Sequence, residues 1–179
     1  MKGCDHFHTQ LVVPYQYLLD ASRGFAHTKG GPVWPDWSKT QIHRHHKAGT
    51  PIDWAPDVPE QPAPLQAGTA YWAGACCNHF GHQIVDFSSK LALYGENLGP
   101  DQKIAIATKI GSGMARYQDL PDFAQKIYGY FGFHADRIHI VSQPTQFDHL
   151  YSLPQQEQHG GHPATPEHLQ ALARSAALN

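Results

Sequence analysis

The stretch Thr69-Ala70-Tyr71-Trp72-Ala73-Gly74-Ala75-Cys76-Cys77-Asn78-His79-Phe80-Gly81-His82-Gln83-Ile84-Val85-Asp86-Phe87-Ser88-Ser89-Lys90-Leu91-Ala92-Leu93-Tyr94 decides the fold. Residues 70–73 read as a short strand, and 74–76 lead out of it. Helical spacing takes over at 79–94, with Asn78 as a natural N-cap. At about 100° per residue, His79, His82, Asp86 and Lys90 share one narrow sector of that helix, and Phe80, Ile84, Phe87, Leu91 and Tyr94 share the neighbouring one. One face is expected to be buried and the other to carry chemistry.

The chain downstream repeats the alternation. Gly95 and Gly99-Pro100 stop the helix, and 103–108 is a short β-compatible run bounded by turn residues. A second helix is expected over 121–131, where Phe123, Ile127 and Tyr130 recur on one face and Gly132 closes it. Residues 137–141 then alternate as a strand. Strand, helix, strand, helix, strand predicts an α/β fold, a Rossmann-like parallel sheet with flanking helices. After Pro144, residues 146–153 read as extended and 155–161 as a polar loop. Thr165 caps a last helix that has Pro166 at its first position and runs to about 177. An alternating sheet that closes on a helix with no following strand leads us to expect a partner domain C-terminal to this one.

Upstream, residues 1–68 read as an irregular arm and spacer rich in His, Pro and Trp, set before an α/β domain at 69–179. The apolar run Leu11-Val12-Val13-Pro14-Tyr15 allows a strand or two. Pro56, Pro59, Pro62 and Pro64 favour extended, polyproline-like chain and forbid helix.

A chain of 179 residues can bury a sizeable single core. With 13 basic and 15 acidic residues, its formal charge of -2 lacks the basic excess of a nucleic-acid surface. Three cysteines, two of them adjacent at Cys76 and Cys77, supply neither a disulfide framework nor a Cys-x-x-Cys metal or redox pair. With no apolar run long enough to span a bilayer and no signal-peptide core after Met1, a cytoplasmic location is expected. Histidine, at 14 residues, is the compositional outlier.

Chemically, His82 and Asp86 stand four residues apart, so the carboxylate can orient the imidazole and raise its basicity towards a substrate hydroxyl. Lys90, one turn further, can steady Asp86 or meet an anion. A solvated helix face with local ion pairs accounts for the same spacing. Two zinc ligands could come from His79 and His82 or from His82 and Asp86, although His-Glu-x-x-His is not matched. His6 with His8, and the tract His43-Arg44-His45-His46-Lys47, are further possible metal contacts that solvated histidines explain as well. Gly111-Ser112-Gly113 could cradle phosphate but lacks the full Gly-x-Gly-x-x-Gly pattern. Trp34, Trp37, Trp54 and Trp72 could stack on sugar rings or pack in the core.

The run Asn78-His79-Phe80-Gly81-His82, with Asp86, Lys90 and Leu91 after it, resembles the signature of bacterial glycosyltransferase family 61. There the pattern is Asn-x-x-Gly-His-Phe, an acidic residue, then typically Arg-Leu. Pro121-Asp122-Phe123, Phe131-Gly132-Phe133, Asp136-Arg137-Ile138 and the segment Phe147-Asp148-His149-Leu150-Tyr151 resemble later parts of the same family. Asp86 stands where Glu is commoner, and Lys90 where Arg is commoner, which loses the bidentate fork. The resemblance implies the N-terminal, acceptor-side half of a two-domain GT-B enzyme that moves a sugar from a nucleotide-sugar donor to a glycan hydroxyl in surface polysaccharide synthesis. It implies His82 and Asp86 as catalytic residues and Asn78, His79 and Lys90 as substrate-binding ones, with neither a metal nor a cofactor. A carbohydrate- or partner-binding module derived from such a domain is the alternative, and a zinc-dependent hydrolase a third.

Overall fold

The computed structural model describes the chain apart from residues 2, 21–24, 38–39, 41–42, 45, 48–49, 52, 157–163 and 179. The fold is α/β, built on a seven-stranded mixed, mostly parallel sheet. Its strands are β1 (Asp5–Asp20), β2 (Phe25–Pro32), β5 (Asp53–Trp54), β6 (Leu65–Cys76), β7 (Lys103–Thr108), β8 (Ile138–Val141) and β9 (Thr145–Ser152), in the order β5-β2-β1-β9-β6-β7-β8. β3 (His46–Lys47) and β4 (Thr50–Pro51) form a separate two-stranded ribbon. Neighbours are parallel from β9 through β6 and β7 to β8, and β1 runs antiparallel to both β2 and β9.

Alternation over residues 70–73 of β6 and 104–107 of β7 sends two sets of side chains to opposite faces. Tyr71, Ala73, Ile104 and Ile106 join Leu91, Tyr94, Leu98, Ala124 and Tyr128 in one buried cluster. That face is covered by α2 (Leu91–Asn97) and α3 (Asp122–Tyr130). A final helix, α4 (Pro166–Leu178), leans on α2 through paired contacts of 2.7 and 2.9 Å from the Arg174 guanidinium to Glu96. Ala70, Trp72, Ala105 and Ala107 point the other way and meet Val12, Tyr15, Phe147 and Leu150. This second face is covered by β1 of the same sheet and by Trp34 from the loop after β2. β1 curls over until Tyr15 bridges Lys109 and its carbonyl accepts from Ile110 N at 2.8 Å.

Residues 103–108, 121–131, 137–141, 146–153 and the last helix match the sequence reading closely. Two regions differ from it. The segment read as an irregular arm contributes β1, a 16-residue strand between β2 and β9, together with β2, and the 68/69 boundary falls inside β6. Its strand pattern is hidden because β1 changes phase. Thr9 holds φ 50°, and Phe7 on one side of it and Gln10 and Val12 on the other all turn inward. Leu150 and Phe147 on β9 do the same opposite them.

The helix expected over 79–94 is also not continuous. α1 (Phe80–His82) passes into a π-helical turn, Gln83–Phe87, and the chain breaks at Ser88-Ser89-Lys90 before α2 starts. The cause is polar and internal. Gln83 is fully buried, its Oε1 accepting from Cys77 N at 2.9 Å while its Nε2 donates to Ser88 Oγ and Tyr128 OH, each at 3.2 Å. Satisfying one buried amide overrides the 3.6-residue period.

Candidate functional site

The end of β6 sets the geometry. A register shift between Trp72 and Gly74 kinks the strand, and Gly74, at φ 113°, lets it approach Phe87, whose carbonyl oxygen would lie 3.2 Å from an added Cβ. Tyr15 OH donates to the Cys76 carbonyl and so ties β1 to the same end. Immediately beyond lie Asn78, His79 and His82, all exposed. The N-cap is His79 rather than Asn78: its Nδ1 accepts from His82 N at 3.3 Å with φ -143°. An imidazole nitrogen therefore does the work expected of the Asn78 side chain. The two rings lie 4.6 Å apart, inclined at 48°. Parallel sheets commonly present ligand sites at the carboxyl ends of their strands, which is where this pair stands. Asp86 belongs to the π-helical turn, but its side chain lies outside the described residues.

Lys90 leaves this face. The break before α2 turns it inward, to 2 % exposure, and its Nζ donates to Ser152 Oγ on β9 at 3.1 Å. The single stripe from His79 to Lys90 thus divides into an exposed histidine pair and a buried amine. Lys90 borders a cavity of about 60 Å³ with Trp34, Trp72, Tyr15, His43 and Gln155. Burial lowers its pKa from 10.5 to about 7. His43, nearby, contacts the Leu153 carbonyl through Nδ1 at 3.0 Å and Asp5 Oδ2 through Nε2 at 2.7 Å. Burial and Lys90 lower its pKa against the opposing pull of those two acceptors. Trp34 and Trp72 are core residues, Arg44 covers Trp37 at 4.4 Å, and Trp54 is half exposed.

The apolar residues beside the histidine pair are not core either. Phe80 and Ile84 are 59 % and 46 % exposed, against the expectation that they join Leu91 and Tyr94 inside. With Phe123, Ile127, Tyr130 and Leu172 they wall a groove of about 440 Å³. Phe80 meets Phe123 edge to face at 5.7 Å. The volume lies within the range of small-ligand sites.

On the outer side of β1 and β9 a third constellation is present. His6, His8 and His149 place one ring nitrogen each within 4.8 Å of the others. The sequence marked His6 with His8 but not His149, which lies across the sheet in direct register with His8. Of the tract at 43–47, His43 is buried, His45 lies outside the described residues, and His46 and Lys47 form β3. Gly111-Ser112-Gly113 is an exposed turn in which Ser112 Oγ accepts from Met114 N at 3.3 Å.

No helix among the described residues is long and apolar enough to cross a membrane. No family model, curated protein or solved structure matches the chain.

Proposed function

We propose that this chain is the acceptor-side domain of a sugar transferase of the glycosyltransferase family 61 type, which moves a sugar from a nucleotide donor to a glycan hydroxyl. In this reading the parallel β9-β6-β7-β8 segment, with α2 and α3, is the Rossmann-like half of a GT-B enzyme. The observation that carries the proposal is the exposure of His79 and His82 at the carboxyl end of β6, in the same short segment whose Phe80 and Ile84 wall the groove with Phe123. A pyranose offers C–H faces to such aromatic walls and hydroxyls to the imidazoles.

The hydroxyl oxygen attacks the anomeric carbon, the carbon's bond to the diphosphate breaks, and the diphosphate leaves with the electron pair. His82 accepts the hydroxyl proton, with Asp86 four residues on as its orienting carboxylate. His79 and Asn78 line the acceptor side. Lys90, being buried, is assigned to bracing α2 against β9 through Ser152 rather than to acceptor contact on this face.

The test is saturation-transfer-difference NMR of the chain against a panel of neutral, amino and uronic-acid disaccharides. At least one class is expected to bind, with the signal lost in both His82→Ala and Phe80→Ala while far-UV circular dichroism stays unchanged. If nothing in the panel binds, or if binding survives both substitutions, the proposal fails.

A further inference from the structure

The outer face of the β1/β9 pair carries chemistry that sugar transfer does not use. We propose that His6, His8 and His149 form a Zn²⁺ site that ties β1 to β9 and leaves a fourth coordination position open to solvent. Three features on two paired strands support it, and none depends on the histidine pair at the end of β6.

Distance comes first. His6 Nε2 and His149 Nδ1 are 3.2 Å apart. Two nitrogens bound to one tetrahedral zinc at about 2.0–2.1 Å are separated by about 3.3 Å. One edge of the coordination tetrahedron is therefore already set. The ligand atoms of all three residues fall within 4.8 Å of one another, so side-chain rotation closes the remainder.

The scaffold is the second feature. His8 and His149 are cross-strand partners, and His6 precedes His8 by two residues on the same face. His6 is held flat against Tyr151, with ring centroids 4.3 Å apart and planes 3° from parallel. Thr9 is the only non-glycine among the described residues with positive φ, and the phase change there keeps His8 outward while its neighbours Phe7 and Gln10 turn in. Unfavourable backbone immediately beside a ligand set is a recurring mark of a site positioned for function.

The third feature is the ligand chemistry. An all-imidazole set suits zinc and its late transition-metal neighbours rather than magnesium or calcium. His6 and His8 are exposed and His149 half-buried, so a metal reaches the site without rearrangement of the sheet. Three protein nitrogens with a solvent-facing fourth position is the ligand pattern of zinc sites that activate water.

The experiment uses the full chain stripped with EDTA and titrated with ZnCl₂ by calorimetry at pH 7.5, with the visible spectrum of the Co²⁺ adduct as an independent readout. One zinc per chain is expected, bound at least about tenfold more weakly by His8→Ala and by His149→Ala. His79→Ala and His134→Ala, both at exposed positions, keep the parent affinity. The Co²⁺ adduct shows the intense bands of a tetrahedral ion, lost in His149→Ala. Absence of saturable zinc binding, an affinity that follows His79→Ala instead, or a weak octahedral cobalt spectrum would overturn the proposal. Circular dichroism on each variant separates ligand loss from unfolding.

Discussion

Replacing Lys90 with Met removes a buried amine and leaves a slightly shorter unbranched side chain, and the structure sets how the effect depends on pH. Lys90 is 2 % exposed, and its pKa falls from 10.5 to about 7 because of burial, with Cys4 opposing weakly. Below pH 7 the folded and unfolded chains both carry the charge, so folding bears the whole cost of burying it. Between pH 7 and 10.5 the unfolded chain keeps a proton that the folded one has released, and stability rises with pH by up to about 1.4 kcal/mol per unit. Above 10.5 both forms are neutral and the cost is gone. The full interval amounts to about 5 kcal/mol. Lys90→Met is therefore expected to be more stable than the parent, with an advantage that is greatest below pH 7 and shrinks by roughly 2 kcal/mol between pH 7 and 9. Ser152 stays satisfied in the variant because its hydroxyl also donates to the Leu153 carbonyl at 3.0 Å. Among the groups around Lys90, His43 is shifted below its ordinary 6.5 and the Cys4 thiol above its ordinary 9.0, so the chosen window falls between them. Urea denaturation of both proteins at pH 6, 7, 8 and 9 measures the difference. An advantage that stays constant from pH 7 to 9 would refute the reasoning, because it would mean that Lys90 remains charged inside the fold.

Two further substitutions test the packing around the site. Tyr94→Phe takes from the Trp72 carbonyl its hydroxyl donor and from Leu153 N its acceptor, both at 3.0 Å, and strands two buried backbone groups. A loss of about 3 kcal/mol is expected in urea titrations, with faster hydrogen exchange at Leu153 NH; a loss below about 1 kcal/mol would show that these groups find other partners. Gly30→Ala drives a Cβ to 2.4 Å from Tyr15 Cα at φ 139°, where the obstacle is backbone and cannot rotate away. It should cost more than about 4 kcal/mol or prevent folding, seen as a collapsed thermal transition, and a near-parent transition would contradict the close β1/β2 approach.

The parts of this fold that were legible in the sequence are those whose signals are local. Gly95, Gly99-Pro100, Gly132 and Pro144 bound short runs whose content decides their type, and Thr165-Pro166 starts α4 as its residues announce. β1 was illegible because its inward phase reverses at Thr9 and its register shifts again between Val13 and Gln16, so no alternation survives over its length. The helix at 79–94 was over-read for the opposite reason. Its period is genuine on paper, but Gln83 answers to Cys77, Ser88 and Tyr128, the last of these 45 residues away. In the candidate site, His79 and His82 share a helical spacing and do lie together. Lys90 shares the spacing without sharing the face, and Phe80 and Ile84 pass from expected core to groove wall because the broken helix turns them outward. His149 had no local signal at all, since its partner His6 is 143 residues away in the chain.

That same separation governs how the molecule can be made. β1 leaves the ribosome long before β9, yet it lies inside the sheet with β9 as one of its two neighbours. Until β9 arrives, one edge of β1 stays unpaired, while β6, β7 and β8 can already assemble from nearby chain. Closure is then a single long-range event of high contact order, which makes it slow, and the waiting edge is the natural place for misassembly between nascent copies.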